Sequence, residues 1–494
     1  MSDNKEKNGK KLEEINVDDK ADTKVDVKAD AKDDAEAELV QEAIYDARTL
    51  GVPKMTVLGF QHMFAMFGST VLVPALTGLS VSATLLFAGL GTLLFHLISR
   101  GKVPAFLGSS FAFLAGYYEI APHGEKELLP YACLGVATAG LVYVILAGLI
   151  KIFGVNKVMR FFPPIVTGPI IIAIGLSLSK SAIDNCATNW LVAVIAILIV
   201  VICNVYGKGM IRIIPILCGV LGACLVAVIF ALICGSSVTL SDGTEYISMG
   251  GLKHFLLFKK DSLDAIKSAA WVGLPVEFNN TAFAVFKDAD YKLVVTSIAT
   301  IVPIALATIV EHIGDISAIS STVGKNFIKD PGLHRTILGD GLATILASLF
   351  GAPANTTYGE NTGVLTLSKV YDPRVIRIAA GFAMVFSFCP KFAACISAMP
   401  VPVLGGISLV LYGMISAIGV RNLVENHIDF SKSRNVIIAA LILVLSIGIT
   451  YSKAQSIAFE VFSVKISLSG LAVGSIVGIV LNAVLKGKDY EYAE

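Results

Sequence analysis

The chain has 494 residues, of which 55% are hydrophobic and only 16% are charged. Its mean hydropathy of +0.75 excludes an ordinary soluble globular protein, and its net charge of +1 argues against a nucleic-acid partner. The composition therefore indicates a protein of the lipid bilayer.

The first 50 residues differ from the rest of the chain. They form a Lys/Asp/Ala/Glu tract with almost no large apolar side chains, so we expect it not to fold on its own. The tract also lacks the apolar stretch of a signal peptide. We interpret residues 1–52 as a disordered cytoplasmic tail and residues 487–494 as a second, short cytoplasmic tail.

Apolar stretches follow the first tail, and most of them have the 17–25 residues that cross a bilayer as a helix. Three are poor helices, because 104–120 and 353–368 are interrupted by Pro, Gly and Ser, and 337–351 is short. The sequence thus predicts an all-α polytopic membrane protein with 14 transmembrane segments, at 55–77, 81–99, 104–120, 128–153, 162–182, 189–206, 212–234, 293–313, 337–351, 353–368, 375–398, 401–419, 434–451 and 467–485.

The distribution of basic residues predicts the orientation of these segments. If the N-terminus is inside, the inner loops hold 16 Lys and Arg residues and the short outer loops hold 5. Cytoplasmic loops carry such an excess of Lys and Arg. We therefore place both termini in the cytoplasm and the loop region 236–290 outside the cell.

Two features recur at a separation of 250 residues. Gln61-His62 is matched by Glu311-His312, and the interruption at Ser109-Ser110 is matched by Gly359-Glu360. Transporters are often built from two inverted repeats, and seven segments per repeat, an odd number, require that the second copy be inverted. The two interrupted segments would then face each other near the middle of the membrane.

Two carboxylates lie in stretches that are predicted to be inside the bilayer, where an ionised side chain is energetically unfavourable. Glu311 follows the apolar run 293–310, and Glu360 lies in the second interrupted segment. Inside a membrane each acid needs a partner, a proton or a substrate. Asp315 follows Glu311 by four residues and so shares its helix face. These acids at breaks between apolar runs are typical of a transporter.

The interrupted segments predict the kind of ligand. The first offers free backbone amides, the hydroxyls of Ser109 and Ser110, and the ring of Phe111; the second offers Tyr358 and Glu360. Such groups suit a flat, uncharged ligand that stacks on aromatic rings and donates N–H hydrogen bonds. An inorganic anion would need Arg or Lys, and neither segment contains one.

Structural roles remain the alternative for each residue. Glu311 is then an interfacial acid near a helix end, Glu360 an acid exposed in a loop, Ser109 and Ser110 small packing residues, Phe111 core filling, His62 a buried structural histidine, and Asp315 the partner of a positive group in the loop.

Five motifs carry a resemblance to a known family. They are Gln61–Pro74 (QHMFAMFGSTVLVP), Gly101–Phe113 (GKVPAFLGSSFAF), Glu311–Gly314 (EHIG), Asp330–Arg335 (DPGLHR) and Thr356–Gly363 (TTYGENTG). With them the chain resembles the nucleobase–ascorbate transporter family, also called nucleobase–cation symporter-2, and within it the bacterial uracil permeases. The likeness runs from about residue 53 to 486.

The resemblance implies a fold of seven plus seven inverted segments, with a short strand and a half-helix in each interrupted segment. It implies a core domain formed by residues 53–160 and 291–399, and a gate domain formed by residues 161–235 and 400–486. It also implies a homodimer in the cell membrane in which the core moves against the gate like an elevator.

The resemblance further implies the import of uracil with protons. By likeness, the substrate-binding residues are Phe111, Glu311, Tyr358, Gly359 and Glu360, and the proton-coupling residues are Glu311, Asp315 and Glu360. Glu360 where other members have Gln favours uracil over xanthine or urate. Asp315 is a departure, since it stands where a uracil–proton symporter of the family has a histidine.

Other functions stay open at this point. Na⁺ coupling or a broader nucleobase specificity is the near alternative, and an anion carrier of the related sulfate-permease fold is a more distant one. An enzyme is not expected, because the sequence has no Ser/His/Asp, Cys/His or metal-ligand cluster with usable spacing. No cofactor and no metal are expected for the same reason.

Overall fold

The computed structural model describes residues 43–487 except 209, 242, 288 and 462–463. The described residues belong to one compact unit that begins at Ala43. Of the predicted tails (1–52 and 487–494), residues 1–42 and 488–494 lie outside the described residues.

Helices make up most of this unit, as its long runs of Leu, Ile, Val and Ala predict. Within the described residues they are α1 Gly51–Ala65, α2 Phe67–Thr77, α3 Val81–Ile98, α4 Leu114–Ile120, α5 Leu129–Phe153, α6 Val155–Met159, α7 Pro164–Ala187, α8 Trp190–Val205, α9 Met210–Ile213, α10 Pro215–Cys234, α11 Lys260–Ser268, α12 Tyr291–Ile301, α13 Ala305–Val323, α14 Leu333–Leu349, α15 Glu360–Ser368, α16 Pro373–Ser387, α17 Pro390–Ser397, α18 Val401–Glu425, α19 Ser433–Thr450 and α20 Gly470–Val484.

Three small antiparallel sheets accompany the helices, so the fold is not purely α. The sheets are β1–β5, β2–β3–β4 and β6–β7. Their strands are β1 Leu107–Ser109, β2 Gly235–Thr239, β3 Glu245–Met249, β4 Leu256–Lys259, β5 Asn355–Thr357, β6 Ser456–Val461 and β7 Val464–Ser469. The region predicted as an outer loop, 236–290, thus contains β-structure and the helix α11.

Among the described residues, 8 helical stretches are long and apolar enough to cross a membrane, or 9 if α16 and α17, which meet at a bend of 89°, form one span. The sequence predicts 14. The difference of five arises at stretches that are short or interrupted: α8 has 16 residues, α14 has 17 and α20 has 15, and two others contain β1 and β5. The fold is that of a mostly helical protein with many membrane-spanning helices.

One boundary differs from the prediction in a way that matters for the site. The stretch Tyr291–Val323 is continuous enough to count as a single 33-residue candidate span, made of α12 and α13. Glu311 therefore lies in the middle of a helical stretch and not near its end. The interpretation of Glu311 as an interfacial acid at a helix end is wrong, because α13 continues to Val323.

The helices pack in two groups. In the first, α3 packs on α14 and α16, α5 packs on α12 and α14, and α1 packs on α16; in the second, α7 packs on α18, α19 and α20, and α8 packs on α10 and α18. The contact between α7 and α18 is close because glycines face each other: a methyl group at Gly419 would lie 2.7 Å from the Gly168 carbonyl oxygen. Small residues of this kind let membrane helices approach closely.

The segment before α1 is docked on the rest of the protein. Ile44 forms a parallel bridge with Val370, and the Tyr45 hydroxyl donates to the Val323 carbonyl oxygen at 2.8 Å. Residues 43–52, which the sequence assigns to a disordered tail, are thus part of the ordered unit.

Candidate functional site

The two interrupted segments meet as the sequence predicts. β1 and β5 are antiparallel, with Leu107 opposite Thr357, and Ser109 opposite Asn355. The pairing continues beyond the strands, because the Tyr358 N–H donates to the Phe106 carbonyl oxygen at 3.0 Å. This ladder satisfies backbone groups that lipid cannot satisfy, and it joins parts of the chain that are far apart in sequence.

Threonines of two neighbouring helices complete the outer edges of this pair of strands. Thr92 of α3 contacts both backbone groups of Leu107: its hydroxyl lies 2.9 Å from the N–H and 3.2 Å from the carbonyl oxygen. Thr344 of α14 donates to the Asn355 carbonyl oxygen at 2.7 Å. A two-stranded sheet has two open edges, and buried backbone groups there require partners. The sequence analysis did not single out either threonine.

The side chain of Tyr358 packs against β1 and is hydrogen-bonded to it. Its hydroxyl donates to the Ser109 carbonyl oxygen at 3.0 Å and lies 3.2 Å from the Thr70 hydroxyl. Its ring covers Gly108 so closely that a methyl group there would lie 2.5 Å from the ring carbons. The absence of a side chain at Gly108 therefore determines where Tyr358 sits.

A small cavity lies beside the paired strands. Its volume is ≈ 20 Å³, which is little more than the 10–15 Å³ that one water requires. It is lined by Ser109, Phe111, Ile171, Glu311, Asp315, Thr356, Thr357, Tyr358, Gly359, Ile415 and Ile418. The hydroxyls of Ser109 and Thr356 are buried and have no hydrogen-bond partner among the described residues, so they are available to a ligand.

Most of the predicted site residues lie around this one cavity. Phe111, Glu311, Tyr358, Gly359 and Asp315 all line it. Phe111 also packs edge-on against Tyr412 of α18, with 5.2 Å between ring centroids. Glu360 begins α15, directly after this group, and its side chain lies outside what the structure describes.

Asp315 lies against the second interrupted segment. Its side chain is 5% exposed, and a methyl group at Gly359 would lie 2.9 Å from its Oδ1. Asp315 also lines a much larger vestibule of ≈ 680 Å³ between α13, α15 and α18. It therefore stands where the vestibule meets the small cavity.

A buried polar network lies behind the strands. His312 Nδ1 is 3.0 Å from Thr357 Oγ1 and 3.4 Å from Asp340 Oδ2, and both ionisable side chains are fully buried. Sequence analysis missed Asp340, although an acid within the apolar stretch 337–351 was a usable signal. The network connects the helix of Glu311 to β5 and α14.

Paired interrupted segments beside a buried cavity, set among apolar helices, are typical of membrane transporters. The profile of the Permease family (Xan_ur_permease) matches residues 53–455. The chain belongs to this family, the nucleobase–ascorbate transporters, and is a multi-pass membrane protein.

Sequence relatives and a solved structure agree with this family and fold. The chain is 38% identical to the uracil permease of Bacillus subtilis (strain 168), covering 88% of this chain and 93% of the relative. It is also 38% identical to the uracil permease of Bacillus caldolyticus, covering 90% and 94%. The transmembrane domain of the cyanobacterial bicarbonate transporter BicA superposes with a TM-score of 0.57 at 13% identity, covering 89% of this chain and 99% of that domain. At this identity the likeness shows the fold alone.

Proposed function

We propose that this protein imports uracil across the cell membrane together with protons. The observation that carries the proposal is the cavity beside β1 and β5, which Glu311 lines together with Ser109 and Thr356. In the part of the chain that the structure describes, neither of these two hydroxyls has a hydrogen-bond partner. A carboxylate accepts N–H hydrogen bonds, and hydroxyls bond to ring carbonyls. The names of the sequence relatives support uracil as the ring.

The proposed fold has 14 segments in two inverted repeats. Thr92 and Thr344 support it, because they perform the same task on β1 and on β5 and are 252 residues apart (92 to 344). That separation is close to the 250 residues between the sequence motifs. The packing of the helices in two groups also supports the proposed division into a core (53–160 and 291–399) and a gate (161–235 and 400–486).

The proposed transport cycle moves the core against the gate in a homodimer, with both termini in the cytoplasm. The vestibule of ≈ 680 Å³ runs past Arg212 and Arg421, which the positive-inside rule assigns to the cytoplasm. On the other side the two groups touch, since Ser467 Oγ donates to Glu119 Oε1 at 2.6 Å. The cavity on the proposed cytoplasmic side (≈ 680 Å³) is wider than the one beside Glu119 (≈ 370 Å³), which supports an inward-facing state. The small cavity requires that the gate withdraw before a ring can bind.

We expect uptake to follow a proton gradient and to be indifferent to Na⁺. Glu311, Asp315 and Glu360 supply titratable groups at the site. The measurement is uptake of labelled uracil into proteoliposomes under an imposed pH gradient, and separately under a Na⁺ gradient at equal pH. Competition by xanthine, urate and sulfate in the same assay tests specificity. Uptake driven by Na⁺ alone would overturn proton coupling, and strong competition by sulfate would favour an anion carrier.

We also expect Asp315→Asn to retain uracil binding but to lose accumulation against a gradient. Asp315 lies one turn after Glu311, and two acids so close repel each other when both are ionised. A proton held by the pair removes that repulsion, whereas the amide imitates only one protonation state. Binding to purified protein and pH-driven uptake are the two measurements.

Asp264→Asn on the exposed face of α11 is the matched control for this substitution and should leave both measurements unchanged. If Asp315→Asn still concentrates uracil with an unchanged pH dependence, Asp315 has no part in coupling.

A further inference from the structure

Three isoleucines close the gate side of the small cavity. Ile171 comes from α7, and Ile415 and Ile418 come from α18. The same three side chains line the vestibule of ≈ 680 Å³. They are therefore the aliphatic part of the wall that separates the two spaces.

Two of these side chains contact glycines, one in α13 and one in the second interrupted segment. A methyl group at Gly314 would lie 3.1 Å from Ile171 Cδ1, and one at Gly359 would lie 3.4 Å from Ile418 Cδ1. The tips of Ile171 and Ile418 thus rest on bare backbone at either side of Asp315. Since Gly359 belongs to the predicted substrate site, Ile418 occupies space next to the ligand.

The two helices that carry the isoleucines form a firm support. Glycines bring the backbones of α7 and α18 together, as at Gly168 and Gly419, and the Ser416 hydroxyl donates to the Ile172 carbonyl oxygen at 3.1 Å. An aliphatic wall offers no hydrogen bonds, so it can distinguish ligands only by their size and shape.

We propose that Ile171, Ile415 and Ile418 form a barrier between the cytoplasmic vestibule and the substrate site, and that the bulk of this barrier restricts the site to single-ring pyrimidines. The barrier is the gate's contribution to specificity, whereas the interrupted segments of the core supply the hydrogen bonds. The size limit rests on the proposed uracil transport; the barrier itself does not.

The first test measures selectivity in the series Ile418→Val and Ile418→Ala. We choose Ile418 because its side chain is only partly buried, so its truncation perturbs folding least. Competition of labelled uracil binding by xanthine and by 5-substituted uracils should become stronger along the series, by roughly ten-fold or more in Ile418→Ala. Val420→Ala, on the half-exposed outer face of the same helix, is the matched control and should not change competition.

The second test measures the barrier without any substrate. A thiol introduced by Ser109→Cys is labelled with a small membrane-permeant methanethiosulfonate, and labelling of the parent with its native cysteines is subtracted. We expect labelling to be several-fold faster when Ile418→Ala is added, and unchanged when Val420→Ala is added.

The two tests separate the barrier from the proposed function. Unchanged labelling overturns the barrier, and faster labelling with unchanged competition overturns its role in specificity. Faster labelling in a protein whose wild type does not bind uracil upholds the barrier and refutes uracil transport.

Discussion

Glu311→Gln should weaken uracil binding about 10- to 150-fold while the protein still folds and inserts. Hydrogen bonds to a charged group contribute roughly 1.5–3 kcal/mol, and each 1.4 kcal/mol corresponds to about ten-fold in affinity. Glu311 lines the small cavity together with Ser109 and Gly359. Its carboxylate would therefore accept a hydrogen bond from an N–H group of the ring. The glutamine amide has the same shape, but it is neutral and has an NH₂ donor in place of one acceptor oxygen. It therefore accepts weaker and fewer N–H hydrogen bonds than the carboxylate. Equilibrium binding of labelled uracil to purified protein measures the effect.

Glu245→Gln supplies the control for that experiment. Glu245 pairs with Lys260 at 2.8 Å on the exposed sheet β2–β4, and exposed ion pairs contribute little. Its substitution should leave uracil binding unchanged. Glu360→Gln should weaken uracil binding as Glu311→Gln does, because both acids are proposed to bind the same uracil ring. Normal affinity in both purified variants would remove the acids from the site.

Gly108→Ala should abolish uracil binding and also destabilise the protein. The added methyl group would lie 2.5 Å from the Tyr358 ring and 2.7 Å from Thr70 Oγ1, so the ring must move. Overpacking of this kind costs typically about 1–3 kcal/mol. Tyr358 is hydrogen-bonded to the Ser109 carbonyl oxygen, so its displacement disturbs both strands and the adjacent Gly359. Thermal unfolding and uracil binding are the measurements.

Gly413→Ala introduces the same methyl group where nothing lies within 4 Å. It should leave the affinity unchanged and should not lower the melting temperature, because alanine is the better helix former. If Gly108→Ala also binds uracil normally, Tyr358 does not position the site in the way that its contacts indicate.

Sequence alone predicted the class of fold and the meeting of the two interrupted segments, since both depend on strong signals. Runs of apolar residues long enough to cross a bilayer are rare by chance, and interruptions by Pro and Gly at 104–120 and 353–368 mark where helices cannot continue. The pairing of these two segments followed from their matching positions in the two halves. Five residues predicted for substrate or proton now line one cavity.

The rest could not be predicted, because hydropathy does not report which face of a helix meets protein and which meets lipid. Isoleucines such as Ile171 and Ile418 are common in membrane helices. Because lipid tails are as apolar as a neighbouring helix, the sequence does not show which of the two such a residue contacts. Thr92 and Thr344 are equally inconspicuous in sequence. Their roles arise from contacts with β1 and β5, which are set only when the whole chain has folded.

The pairing of β1 with β5 has a consequence for biosynthesis. The ribosome completes β1 at Ser109 and reaches Asn355, its partner, only after most of the chain has been made. Until then the N–H and C=O groups on one edge of β1 lack these partners, and lipid cannot replace them. The nascent protein must therefore shelter that edge while later helices are inserted, and a chain that stops before β5 lacks one half of the candidate site, however well its first half is folded.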